Sequence, residues 1–141
     1  MSLAIREEPW ERMEPEFRGL VRGHWEEVGE PFPLEFDWDL YRAGCIAVAA
    51  RDEGVLVGYI VGRISSHPYL GGGIGSADLY YLLPSHRRGF AGADLVRAFE
   101  DVLRERGARM VYLGVSLRHD HGALLRYLNY KPVDTYYSKE L

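Results

Sequence analysis

The stretch that decides the fold is Tyr80-Tyr81-Leu82-Leu83-Pro84-Ser85-His86-Arg87-Arg88-Gly89-Phe90-Ala91-Gly92. Its first residues belong to an apolar run over 77–83, and Pro84 closes that run. Further on, Leu95, Val96, Phe99, Val102 and Leu103 fall at i, i+1, i+4, i+7 and i+8, the stripe of an amphipathic helix over residues 92–106. A strand therefore enters a short loop holding two arginines and two glycines, and the loop opens a helix. A helix start leaves backbone N–H groups unpaired and carries partial positive charge, so a phosphate fits there. Glycine lets the backbone come close, and Arg87 and Arg88 offer charge-assisted contacts. The plainer alternative is a tight strand-to-helix turn whose arginines face solvent.

Upstream, residues 3–7 read as a first strand ended by Pro9. Trp10, Met13, Phe17, Leu20, Val21, Trp25 and Val28 then recur at three and four, a helix over 10–28 in which Pro15 and Gly19 suggest a break or a late start. A second, short helix over 35–42 would bury Phe36 and Leu40. Residues 45–51 and 55–64 are compact apolar strands joined by Asp52-Glu53-Gly54, an antiparallel hairpin. Residues 65–76, with Pro68 and Gly71-Gly72-Gly73, read as a loop. Downstream come a strand over 109–117, a short helix over 120–129 with Asp120 as its N-cap, and a last strand over 133–141. This order predicts a mixed α/β (α+β) sheet, mostly antiparallel and flanked by helices, rather than a doubly wound domain.

At 141 residues, 47% hydrophobic and 27% charged, the chain has the size and balance of one soluble domain spanning 1–141. Its one cysteine, Cys45, excludes an intrachain disulfide and lies in an apolar run, as a small buried hydrophobe does. No apolar run reaches the ~20 residues that span a bilayer, and the first residues lack the pattern of a secretion signal, so the expected location is cytoplasmic. Residues 1–39 carry 11 acidic and 4 basic side chains, and the remainder 10 acidic and 13 basic. A net charge of −4 without a broad basic stripe argues against nucleic acid. The acidic third suits either a solvated helix or a cationic, amine-bearing substrate.

The loop resembles the acetyl-CoA signature of the GNAT N-acetyltransferase superfamily, in which a strand ending in an apolar residue and proline leads to Arg/Gln-x-x-Gly-x-Gly/Ala before a helix. Aligned on Pro84, Arg87 takes the Arg/Gln place, Gly92 the last small residue, and Phe90 stands where the first glycine is usual. A frame shifted by one puts Gly89 and Ala91 in the small places and His86 in that of Arg/Gln. The hairpin with Gly54 and Val57-Gly58-Tyr59 is similar to the family's second and third strands. Leu128-Asn129-Tyr130-Lys131-Pro132 resembles its Leu-Gly-Phe/Tyr-x-Pro ending, with Asn129 in the glycine's place. The combination of Asp78, Pro84-x-x-Arg87 and His119-Asp120-His121 is most like small members encoded by tailed phages.

The resemblance implies a GNAT-type fold and transfer of acetyl from acetyl-CoA to a primary amine by direct attack. It implies that the strand before the loop splays from its neighbour, with main-chain groups around Tyr80 and Leu82 holding the pantetheine. Arg87, Arg88, Gly89, Phe90, Ala91 and Gly92 would cradle the diphosphate. Asp78 or His67 would serve as the base. The acid tyrosine is Tyr127 when counted forward from Ala123; counted back from Asn129-Tyr130, Leu125 takes the place and no acid remains. A small-molecule or peptide amine is the expected acceptor, with a homodimer an open possibility. A non-catalytic module of the same fold, binding acyl-CoA or a protein partner, is the alternative.

Two further patterns invite other readings. Gly71-Gly72-Gly73-Ile74-Gly75 fails as a dinucleotide fingerprint because Ser76 occupies its last place and a strand follows. His119-x-His121 lacks a third ligand at recognisable spacing, so no metal is expected.

Overall fold

The computed structural model describes residues 3–141; Met1 and Ser2, part of the stretch read for a secretion signal, lie outside it. The strands are β1 (Ala4–Glu8), β2 (Ile46–Asp52), β3 (Val55–His67), β4 (Leu70–Leu82) and β5 (Ala108–Leu113), and the helices α1 (Trp10–Val28), α2 (Trp38–Arg42), α3 (Ala91–Glu105) and α4 (Gly122–Tyr127). They form one five-stranded sheet in the order β1-β2-β3-β4-β5. Every pairing is antiparallel except β4 with β5, which the α3 crossover makes parallel. The expected mixed, mostly antiparallel sheet flanked by helices is present.

Both faces of the sheet are buried, which explains why β2 is apolar from Ile46 to Ala50. Ala47 and Ala49 point to the α1 side, where their small size leaves room for Trp10, Phe17 and Tyr59. Ile46, Val48 and Ala50 point to the α3 side, against Leu95, Val96 and Phe99. Helix α1 runs without interruption through Pro15, contrary to the expected break. An internal proline costs about 3 kcal/mol. Burying Trp10, Met13, Phe17 and Val21 along one stripe, at roughly 1.5–3 kcal/mol per side chain, outweighs it.

Residues 65–76 are not a loop. β3 continues to His67 and β4 begins at Leu70, so the chain turns only at Pro68-Tyr69 and the two strands pair over their length. The glycines that suggested a loop are close-packing positions: a Cβ on Gly73 would lie 2.5 Å from Ile64 Cγ2. The final strand is also absent. Residues 131–141 pair with no strand among the described residues, and a strand exists only by virtue of a partner. β5 stops at Leu113 rather than 117, α4 is shorter than expected, and Cys45 precedes β2 instead of lying within it.

One irregularity in β4 governs the site. Leu79 pairs with Val61 and Ala77 with Gly62, leaving Asp78 as the extra residue of a β-bulge. Gly62 opposite it is forced, since a Cβ there would sit 1.9 Å from the Ser76 carbonyl oxygen. The bulge inverts the alternation: Ala77 packs on the α3 side and Leu79 on the α1 side, although they are two residues apart.

Part of the acidic N-terminal third is neutralised within the molecule. Glu8 and Glu16 bind Arg51, Glu14 binds Arg42, Glu27 binds Arg87 and Glu7 binds Arg106. These ion pairs join α1 and β1 to later elements. Among the described residues no helix is long and apolar enough to cross a membrane.

Candidate active site

The β4–β5 ladder ends at Ala77 opposite Leu113. Beyond that point β4 continues to Leu82 paired with β3 alone, because the bulge at Asp78 turns it away from β5. The two strands therefore diverge, as the resemblance implied. The gap opens into a cleft of about 640 Å³ lined by Asp78 to Leu82 on one wall and Leu113 to Ser116 on the other. α1 contributes His24, Trp25 and Glu27, while Gly92 and His121 lie at the starts of α3 and α4. Along residues 78–82 the backbone edge facing the cleft has no strand partner.

At the top of β4 the chain is pinned before it enters α3. The Leu83 amide donates to the Val57 carbonyl at 2.8 Å, and Pro84–His86 forms a single 3₁₀ turn. His86 Nε2 lies 2.9 Å from Asp52 Oδ2, fastening this turn to the β2–β3 hairpin. Gly89 adopts φ +71°. Helix α3 begins without a side-chain cap, and the amides of Arg88, Gly89, Phe90, Ala91, Gly92 and Ala93 have no acceptor among the described residues. Unpaired N–H groups at a helix N-terminus are what a diphosphate requires.

The side chains of this loop divide between roles. Arg87 reaches back along the cleft, donating from Nε to the Leu82 carbonyl at 2.6 Å and from Nη2 to both Glu27 oxygens at 2.8 and 2.7 Å. It therefore bridges the loop to α1. Phe90 is exposed, with its ring 6.4 Å from that of Tyr127. Tyr80 donates to the Gly92 carbonyl at 2.8 Å, and a Cβ on Gly92 would meet that phenol oxygen at 2.9 Å. Leu82 is buried against α3.

Of the residues expected to do chemistry, only Asp78 lines the cleft. Its Oδ2 accepts from Arg63 Nη2 at 3.0 Å, Arg63 Nε at 3.2 Å and Tyr41 Oη at 3.3 Å, which leaves Oδ1 without a partner among the described residues. His67 is at the β3–β4 turn, beside Tyr69 and Tyr112, and does not line the cleft. Tyr127 is exposed beside the start of α3, with its ring near Phe90 and Arg97. Leu124, one turn earlier on the six-residue α4, lines the cleft, whereas Tyr127 does not.

Sequence reasoning missed the cleft's histidines. His24 lies on the buried stripe of α1, stacked 4.9 Å from Tyr81, with Nδ1 2.8 Å from Tyr59 Oη. Burial lowers its pKa to about 4, so the imidazole is neutral, and its tautomer sets the direction of the bond it shares with Tyr59. A histidine in phase with Met13, Phe17 and Val21 was the available signal. His121 is likewise held below the usual histidine range by burial. Trp25 Nε1 and His121 Nε2 are buried polar atoms of cleft-lining residues with no partner among the described residues, so both are available to a bound molecule. Cys45 is outside the cleft, and burial pushes its thiol up to about 11.

The sequence model of the acetyltransferase (GNAT) family matches residues 4–128. The chain is similar to the crystal structure of a ribosomal-protein-alanine N-acetyltransferase from Brucella melitensis biovar Abortus 2308. There the TM-score is 0.80 at 20% identity, covering 100% of both chains. A putative acetyl transferase from Pyrococcus furiosus gives 0.79 at 18% identity, covering 99% of this chain and 100% of that one. An aminoglycoside acetyltransferase from an uncultured soil metagenomic sample gives 0.71 at 18% identity, over 100% and 99%. No curated protein matches the chain in sequence. At these identities the structural likeness is one of fold.

Proposed function

The chain belongs to the acetyltransferase (GNAT) family, and on that premise we propose that it is an N-acetyltransferase carrying acetyl from acetyl-CoA to a primary amine. The observation that carries this reading is the pair of features at the end of β4: a strand edge splayed from β5, and six unpaired amides at the start of α3. The free edge around Tyr80 to Leu82 suits a pantetheine arm, and the amides of Arg88 to Ala93 suit the diphosphate. Acetyl-CoA supplies the activated acyl group as a thioester.

The residues divide the remaining work. Asp78 is assigned as base, taking the ammonium proton at Oδ1 while Arg63 and Tyr41 fix the carboxylate through Oδ2. His24 is less suited, since its Nδ1 is engaged by Tyr59 and its burial opposes protonation. Both Glu27 oxygens are occupied by Arg87. With Tyr127 outside the cleft, the leaving thiolate takes its proton from water. Glu30 and the free Oδ1 of Asp78 beside Trp25, Leu34 and Phe36 favour an acceptor with a cationic amine and an apolar body. Within the family, Asp78, Pro84-x-x-Arg87 and His119-Asp120-His121 support kinship with the small members encoded by tailed phages, and a cytoplasmic setting follows.

The test measures free thiol released from acetyl-CoA across a panel of small amines, aminoglycosides and peptides, alongside thermal stabilisation by CoA. Release with at least one amine is expected. Stabilisation without release from any acceptor would favour the binding module, and neither response would refute the cofactor assignment.

A further inference from the structure

One side chain occupies a binding group on each of two cleft-lining elements. Arg87 Nε donates to the Leu82 carbonyl at 2.6 Å, and Nη2 donates to Glu27 Oε1 and Oε2 at 2.8 and 2.7 Å. Leu82 ends the splayed part of β4. Its neighbour Leu83 sends its amide to the Val57 carbonyl of β3. By the alternation of an antiparallel pair, the main-chain groups of Leu82 therefore turn the other way, to the unpartnered edge. Glu27 belongs to the last turn of α1, three residues before Glu30, and both line the cleft.

The same guanidinium stands beside the row of free amides. Arg87 immediately precedes Arg88, whose amide is the first of that row. An arginine grips a carboxylate or a phosphate through the same bidentate fork and keeps its charge with either. A diphosphate carries more negative charge than one carboxylate, and the helix start attracts it as well. Glu27 is not stranded when it loses Arg87. Its side chain is 25% exposed, and His119 Nε2 lies 3.6 Å from Oε2.

We infer that Arg87 is shared between two anions: it passes from Glu27 to the diphosphate when CoA binds, and Glu27 is thereby freed to bind a cationic group of the acceptor. The inference rests on the acetyl-CoA reading above. One side-chain movement uncovers the Leu82 carbonyl for the pantetheine arm and adds Glu27 to the carboxylates that face the acceptor. Glu27 is in this sense an internal competitor of the cofactor. Because the exchange links the two ligands, each tightens the binding of the other by the same factor.

Calorimetric titration of CoA into the parent, Glu27→Gln, Arg87→Gln and the double variant tests it. Glu27→Gln keeps the size of the side chain and removes the charge that holds Arg87. It is expected to bind CoA about tenfold more tightly than the parent. That gain requires the guanidinium, so Glu27→Gln should bring none in the Arg87→Gln background. A purely structural ion pair gives the opposite sign, since its loss loosens the loop and weakens CoA binding. Spermidine serves as the cationic probe, and on the parent this measurement needs no substitution. It should bind about tenfold more tightly with saturating CoA than without, and equally in both conditions to Glu27→Gln. CoA affinity that is unchanged or weakened by Glu27→Gln overturns the inference, as does a spermidine affinity indifferent to CoA. A parent that binds no CoA instead overturns the acetyl-CoA reading, and this inference with it.

Discussion

The phenol of Tyr80 donates a 2.8 Å hydrogen bond to the carbonyl of Gly92, tying the end of β4 to the first turn of α3. Glycine at residue 92 leaves room for this bond, because a methyl group would press on the same oxygen at 2.9 Å. The bond sets the angle at which α3 aims its free amides along the cleft. Tyr80→Phe is expected to lose about 1 kcal/mol of stability, and Gly92→Ala to weaken CoA binding. Removing the phenol oxygen also removes the clash, so the double variant should bind CoA better than the sum of the two single effects. Chemical denaturation and CoA titration of all four proteins check this.

Asp78→Asn keeps the shape of the bulge and removes the proton acceptor. Turnover is expected to fall about 100-fold or more, with CoA affinity little changed. A steady-state assay at fixed acceptor concentration, paired with CoA titration, separates the two quantities. Unaltered turnover would move the base elsewhere.

His24 gives the fold a built-in sensitivity to acid. An unfolded chain takes a proton on histidine near pH 6.5, whereas burial delays protonation of the folded one to about 4. The unfolded state thus binds more protons in this window, and stability falls as pH drops through it. Between pH 7 and 5, above the carboxylate range, His24 should account for about 2 kcal/mol of loss. Urea denaturation at the two pH values is expected to show that loss in the parent and much less in His24→Phe. His121, shifted the same way by burial, leaves a residual slope in the variant.

Arg51 joins three elements that are distant in sequence. It donates to Glu8 at 2.6 and 2.9 Å, to Glu16 at 2.7 Å and to the Gly54 carbonyl at 2.8 Å, with Glu8 and Arg51 both buried. Removing Glu8 takes away two charge-assisted bonds and leaves Arg51 with Glu16 and the Gly54 carbonyl, so Glu8→Ala should cost about 1.5–3 kcal/mol. Replacing Glu8 and Arg51 together by apolar residues should cost less than that single change. Thermal unfolding midpoints of the two proteins decide the point.

Much of this architecture was legible because apolar runs and helical stripes are local signals. The β2–β3 hairpin, α3 and the loop between Leu82 and Gly92 all stand where their residues indicate. The extension of the β3–β4 hairpin was hidden by Gly71, Gly72 and Gly73, which mark close backbone packing as readily as a turn. Asp78 was legible as a candidate, but the bulge that carries it depends on pairing with Val61 and Gly62, which no local pattern encodes. Arg87 was expected to serve an anion, and its grip on Glu27 joins residues 60 positions apart. Tyr127 lies outside the cleft while Leu124, one turn earlier on the same short helix, lines it, a difference no local pattern encodes.

The surplus residue in β4 works as a phase shifter. Upstream of Asp78 the strand keeps one assignment of inward and outward side chains, and downstream it keeps the mirror assignment. Removing a single codon there would rotate the upper half of the strand by half a turn. Tyr81 would then face α3 and Tyr80 would face α1, exchanging an anchor for a stacking ring while every side chain kept its identity. In this segment length carries information that composition does not, and a shortened β4 would fold into a sheet whose cleft had lost its fastening.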